Sequence, residues 1–94
     1  MALLSETDPV FLHIAEVLRR ELPADTIVDV SPSGIRDNIH VLVVSRELDE
    51  LSETQKQERL WGVLEDATRR GELKEADLKR ISVILPVSIK ELRR

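Results

Sequence analysis

The chain has no cysteine and no tyrosine, one phenylalanine, one tryptophan and three glycines among 94 residues. Without cysteine there is no disulfide, no thiolate metal ligand and no thiol nucleophile. With Phe11 and Trp61 as the only aromatic residues, the stacking platforms that hold single-stranded nucleic acid cannot be built. Long apolar runs are also missing. The start, MALLSETDPVFLH, has neither the basic n-region nor the extended apolar core of a signal peptide or membrane anchor. The expectation is a mature chain that begins here and works in the cytoplasm. Basic charge is short as well. The net charge is −4, with seven acids against three bases through Ser45 and eleven against eleven after it. That balance argues against non-specific nucleic-acid binding, which depends on neutralising phosphates with Lys and Arg.

What is present belongs to one folded domain spanning residues 1–94. The composition is 41% hydrophobic and 34% charged, and two halves of such a chain would each bury too little apolar surface to offset their ordering entropy. Asp8 and Pro9 read as the N-cap and first position of a helix, with Phe11, Ile14, Ala15, Leu18 and Leu22 at helical spacing. Pro23 stops it. Thr26 to Ser31 alternates, Val28 and Val30 on one face and Asp29 and Ser31 on the other, as in a half-exposed strand. The turn residues Ser31-Pro-Ser-Gly34 predict an antiparallel return along Asn38 to Ser45.

Asn38 to Leu64 is the most informative stretch. Ile39 to Val44 is apolar on both faces, the pattern of a strand buried on both sides. A short acidic turn follows, and Ser52 with Gln55 forms a capping box at the start of a second helix running to about Arg70. Leu60, Val63, Leu64 and Ala67 turn inward, Glu65–Arg69 and Asp66–Arg70 are i,i+4 pairs, and Gly71 is the C-cap glycine. Leu73 to Leu78 predicts a helical turn or two. Ile81 to Leu85 is a third strand ended by Pro86, parallel to the second because a helix connects them. Ser88 and Glu91 form another capping box, opening a terminal helix whose Ile89 and Leu92 can reach the sheet.

The order α-β-β-α-(α)-β-α makes an α+β fold, a three-stranded mixed sheet with helices packed on it, in a type II KH-like arrangement. Element order alone does not carry function. The three glycines also cannot supply the Gly-x-x-Gly loop with which KH domains clamp RNA.

Val44-Ser45 with Leu48, Ser52, Gln55, Lys56, Leu60 and Leu64, together with Ile81-Ser-Val-Ile-Leu85-Pro86 and with Leu12, Leu18 and Leu22-Pro23, resembles the BolA family across most of the chain. The resemblance implies a BolA-like fold and partnership with monothiol glutaredoxins through a shared iron–sulfur cluster. The family's Arg-His-Arg triplet reads Lys56-Gln57-Glu58 here. Its other ligand, a Cys or His between the first two strands, has no counterpart in Ser31 to Asp37. The resemblance therefore implies a divergent member without a cofactor.

The histidines, His13 and His40, are two lone imidazoles, whereas a metal site needs three or four convergent ligands. Ser31 or Ser45 with His40 and Asp37 can be drawn as a triad, but no nucleophile elbow surrounds either serine. The carboxylate pairs Asp49-Glu50 and Glu65-Asp66 suit solvated helix flanks better than acid–base chemistry. No enzyme is expected. The expected function is a non-catalytic adaptor or regulatory domain acting by protein–protein contact through Lys56, Gln57, Arg59 and Trp61, where Trp61 is either an interface anchor or core packing. The alternative is DNA or RNA binding by a basic patch of Lys56, Arg59, Lys79 and Arg80. The chain is expected to be a monomer or a weak homo-oligomer, associating in that case through the edge strand Thr26 to Ser31.

Overall fold

The structure, a computed structural model, describes residues 9–92. Its elements are α1 (Pro9–Glu21), β1 (Ile27–Pro32), β2 (Ile39–Ser45), a 3-10 turn (Arg46–Leu48), α2 (Glu53–Arg69), α3 (Glu75–Lys79), β3 (Ile81–Ser88) and α4 (Ile89–Leu92). The α+β class, the element order and the three-stranded mixed sheet follow the sequence pattern. Asp8, the expected N-cap, lies outside the described residues. β1 and β2 pair antiparallel, β2 and β3 pair parallel, and β2 is central.

The register explains where the core sits. Ile39, Val41 and Val43 point to one face of β2 and are fully buried; they face Ile14 and Leu18 of α1 and Leu60 and Leu64 of α2 across a single apolar cluster. Leu48, also fully buried, closes that cluster below the sheet. Each such side chain contributes roughly 1.5–3 kcal/mol by leaving water. Ser52 accepts from the Gln55 amide while the Gln55 side chain accepts from the Ser52 amide, so the capping box starts α2 as expected. Gly71 follows the helix with φ +83°, the left-handed conformation for which a glycine is suited.

Four expectations are corrected. The burial of β2 on both sides is met only in part: Ile39, Val41, Val43 and Ser45 are buried on the face that α1 and α2 cover, whereas on the other face Val44 is buried, Leu42 half-buried and His40 exposed. Pro86 does not end β3, which continues to Ser88; the strand lies at the sheet edge, where a missing N–H breaks no ladder bond. Arg69 pairs with Asp66, and Arg70 with Glu72 and Glu21, in place of the two i,i+4 pairs. Leu92 is exposed and does not reach the sheet.

Candidate functional site

Strand alternation assigns the second face of the sheet to nine residues in three cross-strand rows: Ile27-Val44-Val87, Asp29-Leu42-Leu85 and Ser31-His40-Val83. α1 and α2 pack on the opposite face, and Val44, in the middle of the first row, is buried at 6%. Ile27 is 55% exposed, Leu85 53% and Val83 37%, with Leu42 and Val87 half-buried beside them. Asp29 and His40 are exposed and Ser31 is half-buried, so one corner of an otherwise apolar surface is polar. The sequence signal was the unbroken apolar run of Ile39 to Val44 that suggested a doubly buried strand. Apolar residues on both faces announce two surfaces that avoid water, and the helices cover only one.

One side-chain donor meets a carbonyl on each edge strand of the sheet. Arg19 Nη2 donates to the Val28 carbonyl at 3.2 Å on the β1 side, and Gln57 Nε2 donates to the Ile84 carbonyl at 2.9 Å on the β3 side. Pro32 and Pro86 bring no N–H to these strands.

At the start of α2, the residues expected to meet a partner are bonded within the chain. Lys56 is 4% exposed, and its Nζ donates to Glu91 Oε1 at 2.8 Å and Glu53 Oε2 at 3.0 Å. Burial selects a paired ammonium here because an unpaired one is very costly. Lys56 is held above its ordinary pKa, chiefly by the hydrogen bond to Glu91. Glu91 is lowered to about 2, first by Lys56 and then by the Ser88 amide and hydroxyl. The amide of Ser88 donates to Glu91 Oε1 and the Glu91 amide donates to Ser88 Oγ, the second expected capping box. Asp49 Oδ1 accepts from the amides of Ile89 and Lys90 at 2.8 and 3.3 Å. Lys56 and Asp49 thereby pin α4 to α2 and the preceding turn.

Gln57 and Trp61 act as a pair. The Trp61 indole N–H donates to Gln57 Oε1 at 3.1 Å while the ring packs half-buried against the core. Arg59 is held by the Glu47 carboxylate and donates to the Glu21 carbonyl at 3.2 Å. All four residues expected to meet a partner therefore have intramolecular roles.

Nor do Lys56, Arg59, Lys79 and Arg80 converge. Lys56 lies in the first turn of α2, next to the end of β3, whereas Lys79 and Arg80 precede the first residue of β3. An eight-residue strand separates them, roughly 20 Å or more. Arg80 Nε donates to the Asp37 carbonyl at 2.9 Å, bracing the hairpin loop.

Ser31 lies directly across from His40, but Ser45 is buried at the other end of the sheet, where its Oγ accepts from Thr26 Oγ1 at 2.9 Å and from the Glu47 amide. His13 is exposed on α1. Among the described residues no group of three His, Cys, Asp or Glu side chains is placed to hold a metal ion. The Lys56-Gln57-Glu58 triplet is committed to structural bonds at its first two positions. A shallow depression of about 250 Å³ between α2 and α3 is lined by Glu65, Thr68, Arg69, Glu75 and Leu78. Ligand pockets are commonly larger and mostly apolar. No helix among the described residues is long and apolar enough to cross a membrane.

Family models, curated proteins and solved structures offer no relative of this chain.

Proposed function

We propose that the protein is a non-catalytic adaptor or regulatory domain that works by protein–protein contact, and that the open face of its sheet is the contact surface. The observation that supports this reading is the continuity of Ile27, Leu42, Val83, Leu85 and Val87 over three neighbouring strands. Single exposed apolar residues are ordinary, whereas a contiguous patch with a polar border is the usual mark of an interaction site. Asp29, Ser31 and His40 supply that border and can set orientation more than affinity.

The order α-β-β-α-α-β-α, with the residues from Val44 to Leu64, supports a BolA-like, type II KH-like frame. A monothiol glutaredoxin, the partner that resemblance implies, would have to be engaged without the family's cluster ligands. The nucleic-acid alternative draws no support from the cations, which are paired or far apart.

A photo-crosslinking residue tests the reading when placed at Ser31, on the border of the open face, and at Glu65, on the outer side of α2, in cells that carry the protein. Adducts at position 31 and none at 65 are expected. Equal labelling, or none at either, contradicts the assignment of this face.

A further inference from the structure

We propose that the outer edge of β1 takes up an extended basic segment of a partner protein as an added strand of the sheet. This contact is separate from the open face and stands whether or not that face meets a partner.

The hydrogen-bond register decides which groups β1 turns outward. The Ser33 amide donates to the Asn38 carbonyl at 2.9 Å. That pair continues the β1–β2 ladder, so by alternation Ile27, Asp29 and Ser31 direct their main-chain groups to β2 while Val28, Val30 and Pro32 direct theirs away from the sheet. Two contacts agree with this phase. Arg19 reaches the Val28 carbonyl, and the Thr26 amide, two residues earlier, turns outward to the Pro23 carbonyl. The N–H groups of Val28 and Val30 and the carbonyls of Val30 and Pro32 are left without a partner among the described residues. Such a row is a template for another strand. On β3 the row is interrupted: Gln57 takes the Ile84 carbonyl, Pro86 has no N–H, and the Ser88 amide donates to Glu91.

Helix α1 turns the β1 edge into a groove. Five residues connect Glu21 to Ile27, so α1 runs back along β1 with Leu12 toward Pro32. The bond from Arg19 to Val28 lays one flank of α1 along the outer side of the strand, and Glu16 and Leu12 lie on that flank one and two turns earlier. Both are exposed. Leu12 to Arg19 spans about 10 Å of helix and Val28 to Pro32 about 13 Å of strand, so the flank borders most of the edge. The other flank of α1 is engaged with α2, where the Glu21 carbonyl accepts from Arg59.

The side chains beside the edge select the occupant. An added strand sends alternate side chains to the α1 side, beside Leu12 and Glu16, and to the open side, beside Ile27 and Asp29. Each side shows one exposed aliphatic residue and one exposed acid, and neither acid has an ion-pair partner among the described residues. Arg19, the cation of this flank, is held at the Val28 carbonyl. A segment alternating aliphatic and basic residues fits in either facing, with its aliphatic side chains on Leu12 or Ile27 and its cations on Glu16 or Asp29. A second copy of this chain does not fit, because its own β1 brings Asp29 and no cation to the seam.

Amide hydrogen exchange of the full chain reads the added bonds, with a capped hexapeptide of alternating valine and lysine as the probe. So few main-chain bonds and exposed charges give a dissociation constant on the order of 1 mM. At about 3 mM probe, exchange of the Val28 and Val30 amides should therefore slow about fourfold. The same peptide with glutamate in place of lysine, or N-methylated at every residue so that it has no N–H to donate, should leave both amides unchanged. Glu16→Lys combined with Asp29→Lys, at two exposed sites, should weaken the lysine peptide about tenfold with an unaltered circular dichroism spectrum. No slowing at Val28 and Val30, equal slowing by either control peptide, or undiminished affinity in the double variant overturns the proposal. Slowing of the same two amides with rising protein concentration and no probe identifies a second copy as the occupant and overturns it as well.

Discussion

Replacing Lys56 separates a structural lysine from a partner-binding one. Its ammonium is almost wholly buried and bridges Glu53 and Glu91, so Lys56→Met keeps the stem's volume and removes two charge-assisted bonds. Hydrogen bonds to charged groups contribute about 1.5–3 kcal/mol each when buried. Here both carboxylates reach solvent, with side-chain exposures of 73% and 42%, and they regain hydration once the ammonium is gone. Methionine also buries well where lysine was desolvated. The net loss is therefore about 1–2 kcal/mol, or roughly 4–16 °C in melting temperature for a domain of this size. Lys56→Glu is worse, because it buries a like charge between two carboxylates, and about 3 kcal/mol or more is expected. Urea denaturation followed by far-UV circular dichroism measures both. A Lys56→Glu protein as stable as wild type would refute the reasoning and return Lys56 to the surface.

The acid limb of stability carries the same contact: Glu91 is depressed to about 2, so its stabilisation is present above its ordinary value near 4.5 and is lost as pH falls toward 2. Lys56→Met should flatten that part of the stability profile, and an unchanged slope counts against the pair. Asp49→Ala removes the carboxylate that accepts the Ile89 and Lys90 amides and should cost about 1 kcal/mol, as other lost N-caps do; faster amide exchange confined to α4 and the end of β3 is its signature. Gln57→Ala leaves the Ile84 carbonyl and the Trp61 indole without their partner. It should cost about 1 kcal/mol and shift tryptophan fluorescence, whereas an unaltered spectrum contradicts the pairing.

The fold was legible because it depends on local chemistry and periodicity. Ser52 with Gln55, Ser88 with Glu91 and Gly71 mark helix ends through bonds made within a few residues, and the spacing of Phe11, Ile14 and Leu18 faces α1 to the core whatever the tertiary arrangement. Long-range partners were not legible. Lys56 looks like solvated charge until β3 carries Glu91 back, 35 residues later in sequence, to meet it. Gln57 likewise finds its carbonyl only because β3 is an edge strand beside α2. Pro86 reads as a strand end until the strand is known to be peripheral. The open face was half legible: the apolar runs Ile39 to Val44 and Ile81 to Leu85 contain Leu42, Val83 and Leu85, but which side the helices cover depends on the crossover and on α1 joining α2. Lys56, Gln57, Arg59 and Trp61, singled out for partner contact, all carry intramolecular bonds that the sequence does not announce.

Methyl-resolved NMR tests the central claim most directly, with isoleucine, leucine and valine methyls labelled and extract from cells that carry the protein titrated in. Ile35 and Leu12, 65% and 57% exposed but away from the open face, serve as internal controls. The account expects line broadening at Ile27, Leu42, Val83 and Leu85 with Ile35 and Leu12 unaffected. Broadening that spreads equally to the controls, or leaves the sheet face unchanged, contradicts it.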